Sequence, residues 1–149
     1  KTGQPEDALR LLQESLALTG GTQMSAEAHS LKGRAHRDLG EFDQAVRSFK
    51  RSLELSLSGR AAQEAHSYLA EIYTKRGELD RALEHLSERI NLDPQDPVGY
   101  ADRSRAYIAL GDLERATEDR DEAYRLNPRY VRAINLDDEL AEAFFGQPD

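Results

Sequence analysis

The residues best suited to chemistry in this chain of 149 residues are its four histidines, at positions 29, 36, 66 and 85. They stand among 28 Asp and Glu residues, and histidines near carboxylates can bind a metal ion or act as a general base. None of them lies in an HExxH motif or another paired-ligand spacing. His29 and His66 recur at the same place in a repeated unit, which favours packing between helices over metal binding or catalysis.

Other catalytic and cofactor signatures are missing from the sequence. Without cysteine, the chain has no disulfide, no thiol nucleophile and no cysteine-ligated zinc. Serine, histidine and aspartate are plentiful, but a catalytic triad is defined by geometry and not by composition. The glycines form neither GxGxxG nor a phosphate-binding loop. We therefore predict a chain that is not an enzyme and that has no catalytic residue, cofactor or metal ion.

Charge and hydropathy exclude two classes of partner. The net charge of −8 disfavours nucleic acid, because phosphate binding depends on clustered Lys and Arg. No apolar run is long enough to predict a membrane-spanning helix. The combination of 38% apolar and 32% charged residues is typical of amphipathic helices that each expose one face.

A short block recurs along the chain: GQPEDAL, GEFDQAV, GELDRAL and GDLERAT begin at residues 3, 40, 77 and 111. An alanine follows each glycine five positions later. The glycines are 37, 37 and 34 residues apart. Self-similarity at such a period is the signature of stacked structural repeats.

Each block reads as the turn of a helical hairpin. Before Gly77, residues 64–76 place apolar side chains at three-and-four spacing, and the glycine can end that helix in the left-handed conformation. The next helix begins at Leu79 and ends before Pro94, which cannot continue it. The alanine after the turn lets the two helices approach closely. The same pattern predicts helices at residues 26–39, 42–55, 97–110 and 113–126.

These residues resemble the tetratricopeptide repeat. The resemblance rests on a small residue, an aromatic-type residue three positions later, the glycine, the alanine and an end at Leu-Asp-Pro or Leu-Asn-Pro. The first two features are Gly33 with His36, Ala70 with Tyr73, and Ser104 with Tyr107. The family implies an all-α superhelix of helical hairpins, in which the first helix of each hairpin lines a concave groove.

The resemblance implies five segments. Residues 1–24 hold the second helix of an incomplete repeat, residues 25–60, 61–95 and 96–128 are three complete repeats, and residues 129–149 form a capping helix and tail. The glycine-to-glycine spacing is three residues longer across the junctions at 19–25 and 56–62 than across the junction at 91–96. They indicate longer helices or wider turns.

Several residues depart from the family pattern. His29 and His66 replace a large aromatic residue, Lys32 and Arg103 replace leucine, and Arg120 replaces an aromatic residue. We expect looser packing around these five positions.

The groove positions of the family map onto twelve residues of this chain. Three of them, Ser30, Ser67 and Ala101, are small and would leave a channel for an extended peptide or a helix. The full set is Glu27, Ser30, Arg34, Arg37, Glu64, Ser67, Glu71, Thr74, Val98, Ala101, Arg105 and Ile108.

One groove position alternates in charge along successive repeats, as Arg34, Glu71 and Arg105. Both arginines could turn toward the glutamate and form a structural ladder. Alternatively, one or both could keep donors for a partner's carboxylate, with Arg37 adding positive charge. The lysines and asparagines with which some family members hold the acidic EEVD tail of chaperones are absent, which disfavours that ligand.

The sequence thus predicts a scaffold or adaptor that binds a protein segment, a peptide or a helix, in the groove. One alternative is an accessory domain that regulates a larger enzyme or signalling protein. The other is self-association, because the apolar stripe of the N-terminal helix has no partner helix. Two copies of the chain would pair through this stripe as a homodimer, or the amide hydrogens of the helix would exchange rapidly with solvent. That stripe consists of Leu9, Leu11, Leu12 and Leu16.

Overall fold

The computed structural model describes residues 22–146, together with residues 7, 9–11 and 14. Residues 22–146 form eight α-helices and no β-strand. The helices are α1 (Thr22–Asp38), α2 (Phe42–Leu55), α3 (Gly59–Lys75), α4 (Leu79–Leu92), α5 (Pro97–Leu110), α6 (Leu113–Leu126), α7 (Pro128–Ala133) and α8 (Leu136–Phe145). The predicted N-terminal helix at residues 3–18 lies largely outside the described residues, as do Leu12 and Leu16 of its leucine stripe. The predicted all-α fold of helical hairpins is confirmed.

Glycine and proline set the helix ends, as the sequence indicates. Gly40, Gly77 and Gly111 adopt φ of 77°, 73° and 81°, the left-handed conformation that stops the first helix of each hairpin. Helices α2, α5 and α6 have the predicted bounds. Helices α1 and α3 are each 17 residues long, whereas α5 has 14. The two long junctions therefore lengthen the first helices.

The alanine that follows each turn is a packing residue in all three hairpins. Ala45, Ala82 and Ala116 have no exposed surface. A larger side chain at these sites would push the second helix away from the first. The prediction of a small, buried residue is confirmed.

The chain divides into two compact units, one up to Ile72 and the other from Tyr73 onward. In the first unit α1 packs against α2. A Cβ atom added to Gly33 would lie only 2.7 Å from Cε1 of Phe49, so the glycine makes room for that ring. The buried Ser52 hydroxyl donates a hydrogen bond to the carbonyl of Ala26 (2.7 Å) and joins the far ends of the two helices.

In the second unit α5 packs against both α4 and α6. The buried Ser104 hydroxyl donates to the carbonyl of Ala116 (2.7 Å), which holds the α5–α6 hairpin together. A core cluster lies between α5, α6 and the C-terminal helices. Its fully buried members are Ala101, Ala123, Val131 and Leu136.

The C-terminal cap differs from the prediction, because it is two helices and not one. Between α7 and α8, Asn135 takes φ 56° and ψ 31°, a left-handed conformation that asparagine tolerates better than most residues. The break turns Leu136 and Leu140 into the protein, where both are buried. Burial of these two leucines against the repeats favours the broken form over a continuous helix.

Candidate functional site

A cleft of about 240 Å³ lies between α1 and the beginning of α3, within the first unit. It brings together four of the predicted groove residues. Leu31, Arg60 and Ala61 complete the lining, which consists of Glu27, Ser30, Leu31, Arg34, Arg60, Ala61 and Glu64. The cleft therefore lies on the first helices of two successive hairpins, as the family resemblance implies for a groove.

Ser30 forms part of the cleft wall and carries an unused hydroxyl group. The residue is 2% exposed, and its Oγ has no hydrogen-bond partner among the described residues. Ser67, the corresponding residue of the next repeat, instead donates to the carbonyl of Gln63 in its own helix (2.9 Å). A buried polar group without a partner is costly, so the Ser30 hydroxyl is well placed to bond a ligand atom in the cleft.

The charges that line the cleft are only partly paired. Arg60 Nε donates to Glu64 (2.8 Å), and this hydrogen bond raises the pKa of Arg60 above its usual value. In contrast, Arg34 and Glu27 have no ion pair with any described residue. Arg34 lies 5.9 Å from the centre of the Tyr68 ring, a distance that leaves its hydrogen-bond donors available. The cleft thus offers one cation and one carboxylate to a ligand.

Arg37 does not share this availability. Its guanidinium is 2.7 Å from Asp38 and 3.4 Å from Glu71, and it stacks over the Tyr68 ring at 4.4 Å from the ring centre. Glu71 is therefore contacted by Arg37. The expected additional positive charge beside Arg34 is largely neutralised.

The predicted groove residues of the third repeat are covered by the C-terminal helices. Ala101 is fully buried in the core cluster, and Ile108 packs against that cluster. Arg105 forms two hydrogen bonds of 2.8 Å with Glu139 and one of 3.0 Å with the carbonyl of Ile134. The bonds to Glu139 raise the pKa of Arg105. Ala101 is therefore buried beneath the C-terminal helices, and the guanidinium of Arg105 is paired with Glu139, so the prediction that these two residues contact a ligand has no support in this geometry.

The remaining candidates do not form a second site with these residues. Val98 is half-buried, and its backbone N–H donates to the N-terminal cap residue Asp96 (3.0 Å). Thr74 is exposed near the end of α3. The α1–α3 cleft, whose lining includes neither residue, is the site that the geometry supports.

The histidines are distributed over different environments. His36 Nδ1 lies 2.6 Å from a carboxylate oxygen of Glu41, and His85 stacks on the Tyr73 ring at 5.6 Å between centres. His29 belongs to a separate cleft between α1 and α2. No three histidine, aspartate or glutamate side chains within the described residues are grouped as metal ligands would be.

Three lining residues were missed by the sequence reasoning. Arg60 and Ala61 lie in the first turn of α3, which begins five residues before the predicted helix. The longer junction was the signal, since it allowed a longer helix. Leu31 is 45% exposed at the cleft edge, and its spacing alone does not distinguish it from a core leucine.

Comparison with solved structures shows the fold. A tetratricopeptide repeat protein from Parabacteroides merdae ATCC 43184 has a TM-score of 0.83 and 20% identity, and the match covers 95% of this chain and 54% of that one. This chain thus spans about half of that protein's length. MamA from Desulfovibrio magneticus RS-1 (residues 41-end) has a TM-score of 0.74 and 26% identity, with 95% and 82% of the two chains covered.

A third similar structure contains a peptide. The first tetratricopeptide repeat domain of Spaghetti (RPAP3), bound to the HSP90 peptide SRMEEVD, has a TM-score of 0.72 and 20% identity. The match covers 82% of this chain and 94% of that one. This likeness shows a common fold.

Sequence comparison identifies the family. No curated protein sequence matches the chain significantly. No described helix is both long and apolar enough to cross a membrane. The family model for the tetratricopeptide repeat matches residues 1–55 and 30–97, and a second model of the same description matches residues 99–130. Because these matches cover most of the sequence, the chain belongs to the tetratricopeptide repeat family.

Proposed function

We propose that this chain is a non-catalytic interaction module that binds an extended segment of another protein in the cleft between α1 and α3. The observation that carries the proposal is the buried Ser30 hydroxyl, which lines the cleft without a hydrogen-bond partner among the described residues. An extended peptide supplies a backbone carbonyl or N–H group at every residue, and either can bond a hydroxyl.

The charges of the cleft indicate which segments would fit. Arg34 would hold a carboxylate of the bound segment, and Glu27, about two helical turns away, would accept hydrogen bonds from a basic or polar side chain. Leu31 adds an apolar contact at the edge. The preferred ligand is therefore a short segment of mixed charge, in contrast to a purely acidic tail.

The peptide bound by the RPAP3 domain supports a peptide ligand, since that domain shares this fold. The recognition chemistry would differ. At the positions where the family's chaperone-tail clamp has lysine or asparagine, this chain has residues such as Ser30, Arg34 and Asp102. One arginine replaces a cluster of cations, so affinity for an acidic tail should be low.

Peptides selected on this chain from a phage-displayed random library provide the test. We expect Ser30→Ala to weaken binding of such a peptide about fivefold, which corresponds to one neutral hydrogen bond of about 1 kcal/mol. The melting temperature should not fall, because the substitution removes a buried hydroxyl that lacks a partner. Ser67→Ala is the matched control and should leave peptide affinity unchanged.

Equal affinities for the wild type and Ser30→Ala would contradict the proposed site. A loss of affinity in Ser67→Ala as large as that in Ser30→Ala would also contradict it, because Ser67 bonds its own helix. Circular dichroism of both variants would show whether the fold is retained.

A further inference from the structure

A second cleft, of about 370 Å³, lies between α1 and α2 on the first hairpin. It differs from the α1–α3 cleft in its helices and in its charge. Its lining contains three permanent cations and no carboxylate, and consists of His29, Lys32, His36, Gln44, Arg47, Ser48 and Arg51. We refer to these seven residues as the basic cleft. In a chain with a net charge of −8, such a lining is not explained by composition.

The cations of the basic cleft are available to a partner. Lys32 and Arg47 form no ion pair with any described residue. Arg51 contacts Glu54 (2.7 Å), but both side chains are more than half exposed, and such a pair is easily exchanged. Burial, together with the charges of Lys32 and Arg51, lowers the pKa of His29. The cleft therefore has a positive potential, which an anionic partner would relieve.

The spacing of the donors along α2 matches that of a helix with regularly placed carboxylates. Arg47 and Arg51 are four residues apart, a rise of about 6 Å along the axis. Gln44 and Ser48 extend the same stripe by one turn. A second helix with carboxylates four residues apart has the same rise, so its charges can meet the arginines in register.

The chain itself contains such a helix in its second unit. Asp80, Glu84 and Glu88 lie four residues apart on α4, and all three are exposed. None of the three forms an ion pair with a described residue. Arg115, which borders the same surface, is already bound to Asp112 (2.7 Å) and does not neutralise the stripe.

The distribution of charge along the sequence is consistent with this complementarity. Residues 22–72 contain seven Lys and Arg and seven Asp and Glu, a net charge of zero. Residues 73–146 contain 11 Lys and Arg and 17 Asp and Glu, a net charge of −6. Most of the excess negative charge lies in the half of the chain that carries the α4 stripe, so two copies attract each other when unlike halves meet.

We propose that the basic cleft of one copy binds the α4 stripe of a second copy, so that the chain associates head to tail. The two surfaces are different, and such a contact leaves one of each kind unused in every dimer. Association should therefore continue beyond the dimer as concentration rises. It should also weaken as the salt concentration rises, because its contacts are between exposed charges.

The test uses sedimentation velocity of the whole chain over a range of concentrations at low ionic strength. We expect the wild type to associate, and both Arg47→Glu and Glu84→Arg to sediment as monomers. An equimolar mixture of these two variants should associate again, because the intact stripe of Arg47→Glu can bind the intact cleft of Glu84→Arg. Lys50→Glu and Glu118→Arg change the same charges at exposed positions outside the two surfaces and should associate as the wild type does.

Several results would overturn the proposal. A wild type that stays monomeric at all concentrations would do so, even if it bound inorganic phosphate in the basic cleft. Association that is unaffected by salt and by Arg47→Glu would show an apolar contact, such as one through the N-terminal helix. Failure of the mixed variants to form a dimer, with both folded by circular dichroism, would show that the two surfaces do not meet.

Discussion

Arg103 on α5 and Asp119 on α6 form a two-point ion pair, with distances of 2.7 Å and 2.8 Å. Asp119 is 5% exposed, and Arg103 also donates to the Ser87 hydroxyl (3.1 Å). The hydrogen bonds to Asp119 raise the pKa of Arg103. Looser packing was expected where arginine replaces leucine, but a specific ion pair fills this site.

Removing one partner of this pair should be costly. We predict that Asp119→Ala lowers the free energy of unfolding by about 3 kcal/mol, because it leaves a largely buried guanidinium without its carboxylate. Urea denaturation of the wild type and the variant measures the difference.

The double variant Arg103→Leu/Asp119→Leu is the control. Leucine stands at the position equivalent to Arg103 in the second repeat, eight residues before the glycine. Since apolar residues can replace a buried pair at little cost, the double variant should be within about 1 kcal/mol of the wild type. A double variant less stable than Asp119→Ala would show that the pair does not account for the loss.

The predictable parts of the fold are those that the local sequence specifies. Gly77 and Gly111 end helices through their own backbone freedom, and Pro97 and Pro128 begin helices because their φ is already helical. The predicted bounds of α5 and α6 match the structure because such residues stand at or next to their ends. Asn135 was missed, because its left-handed conformation accompanies the burial of Leu136 and Leu140 in the helix that follows it.

The site was only partly predictable, because side-chain pairing joins residues distant in sequence. Arg105 and Glu139 are 34 residues apart, as are Arg37 and Glu71, and no local pattern identifies either pair. The repeat pattern placed Ser30 and Arg34 on a common helix face. It did not show that Arg34 lacks an ion pair among the described residues while Arg105 has one.

The turn at Gly77 allows a test of backbone conformation alone. A Cβ atom added there meets no atom within 4 Å, which leaves the φ of 73° as the main source of strain in a substitution. We predict that Gly77→Val lowers stability by about 1 to 3 kcal/mol. Gly77→Asn should lose clearly less, because asparagine tolerates this conformation. Equal melting temperatures for the two variants would contradict this explanation.

The stability of the first unit should depend on pH through His29. Burial, then Lys32 and Arg51, lowers its pKa in the folded chain below the usual 6.5, while Glu54 opposes this. The unfolded chain therefore binds more protons below pH 6.5, and the stabilisation from neutral His29 is lost as pH falls through that range.

We predict that His29→Gln reduces the fall in melting temperature between about pH 7.5 and pH 5. The other three histidines remain in both proteins and serve as an internal control. An identical pH dependence in wild type and variant would show that His29 titrates alike in the folded and unfolded chains.

Arg34 and Arg105 should have opposite roles, although they share a repeat position. Arg34→Gln should weaken binding of a library-selected peptide about tenfold, a change of about 1.4 kcal/mol, with little effect on melting temperature. Arg105→Gln should lower the free energy of unfolding by about 1 kcal/mol, because it removes hydrogen bonds to Glu139 and to the carbonyl of Ile134. It should leave the affinity for the peptide unchanged. The reverse pattern would show that the ligand binds near the cap.

The location of a bound peptide tests the proposed function most directly. A library-selected peptide that carries a benzophenone group can be crosslinked to the whole chain by light, and the attached residues identified by mass spectrometry. We predict crosslinks at residues 27–34 and 60–64, which line the cleft between α1 and α3. Crosslinks confined to α4, α6 or the C-terminal helices, with none at those residues, would contradict the assignment of this cleft as the binding site.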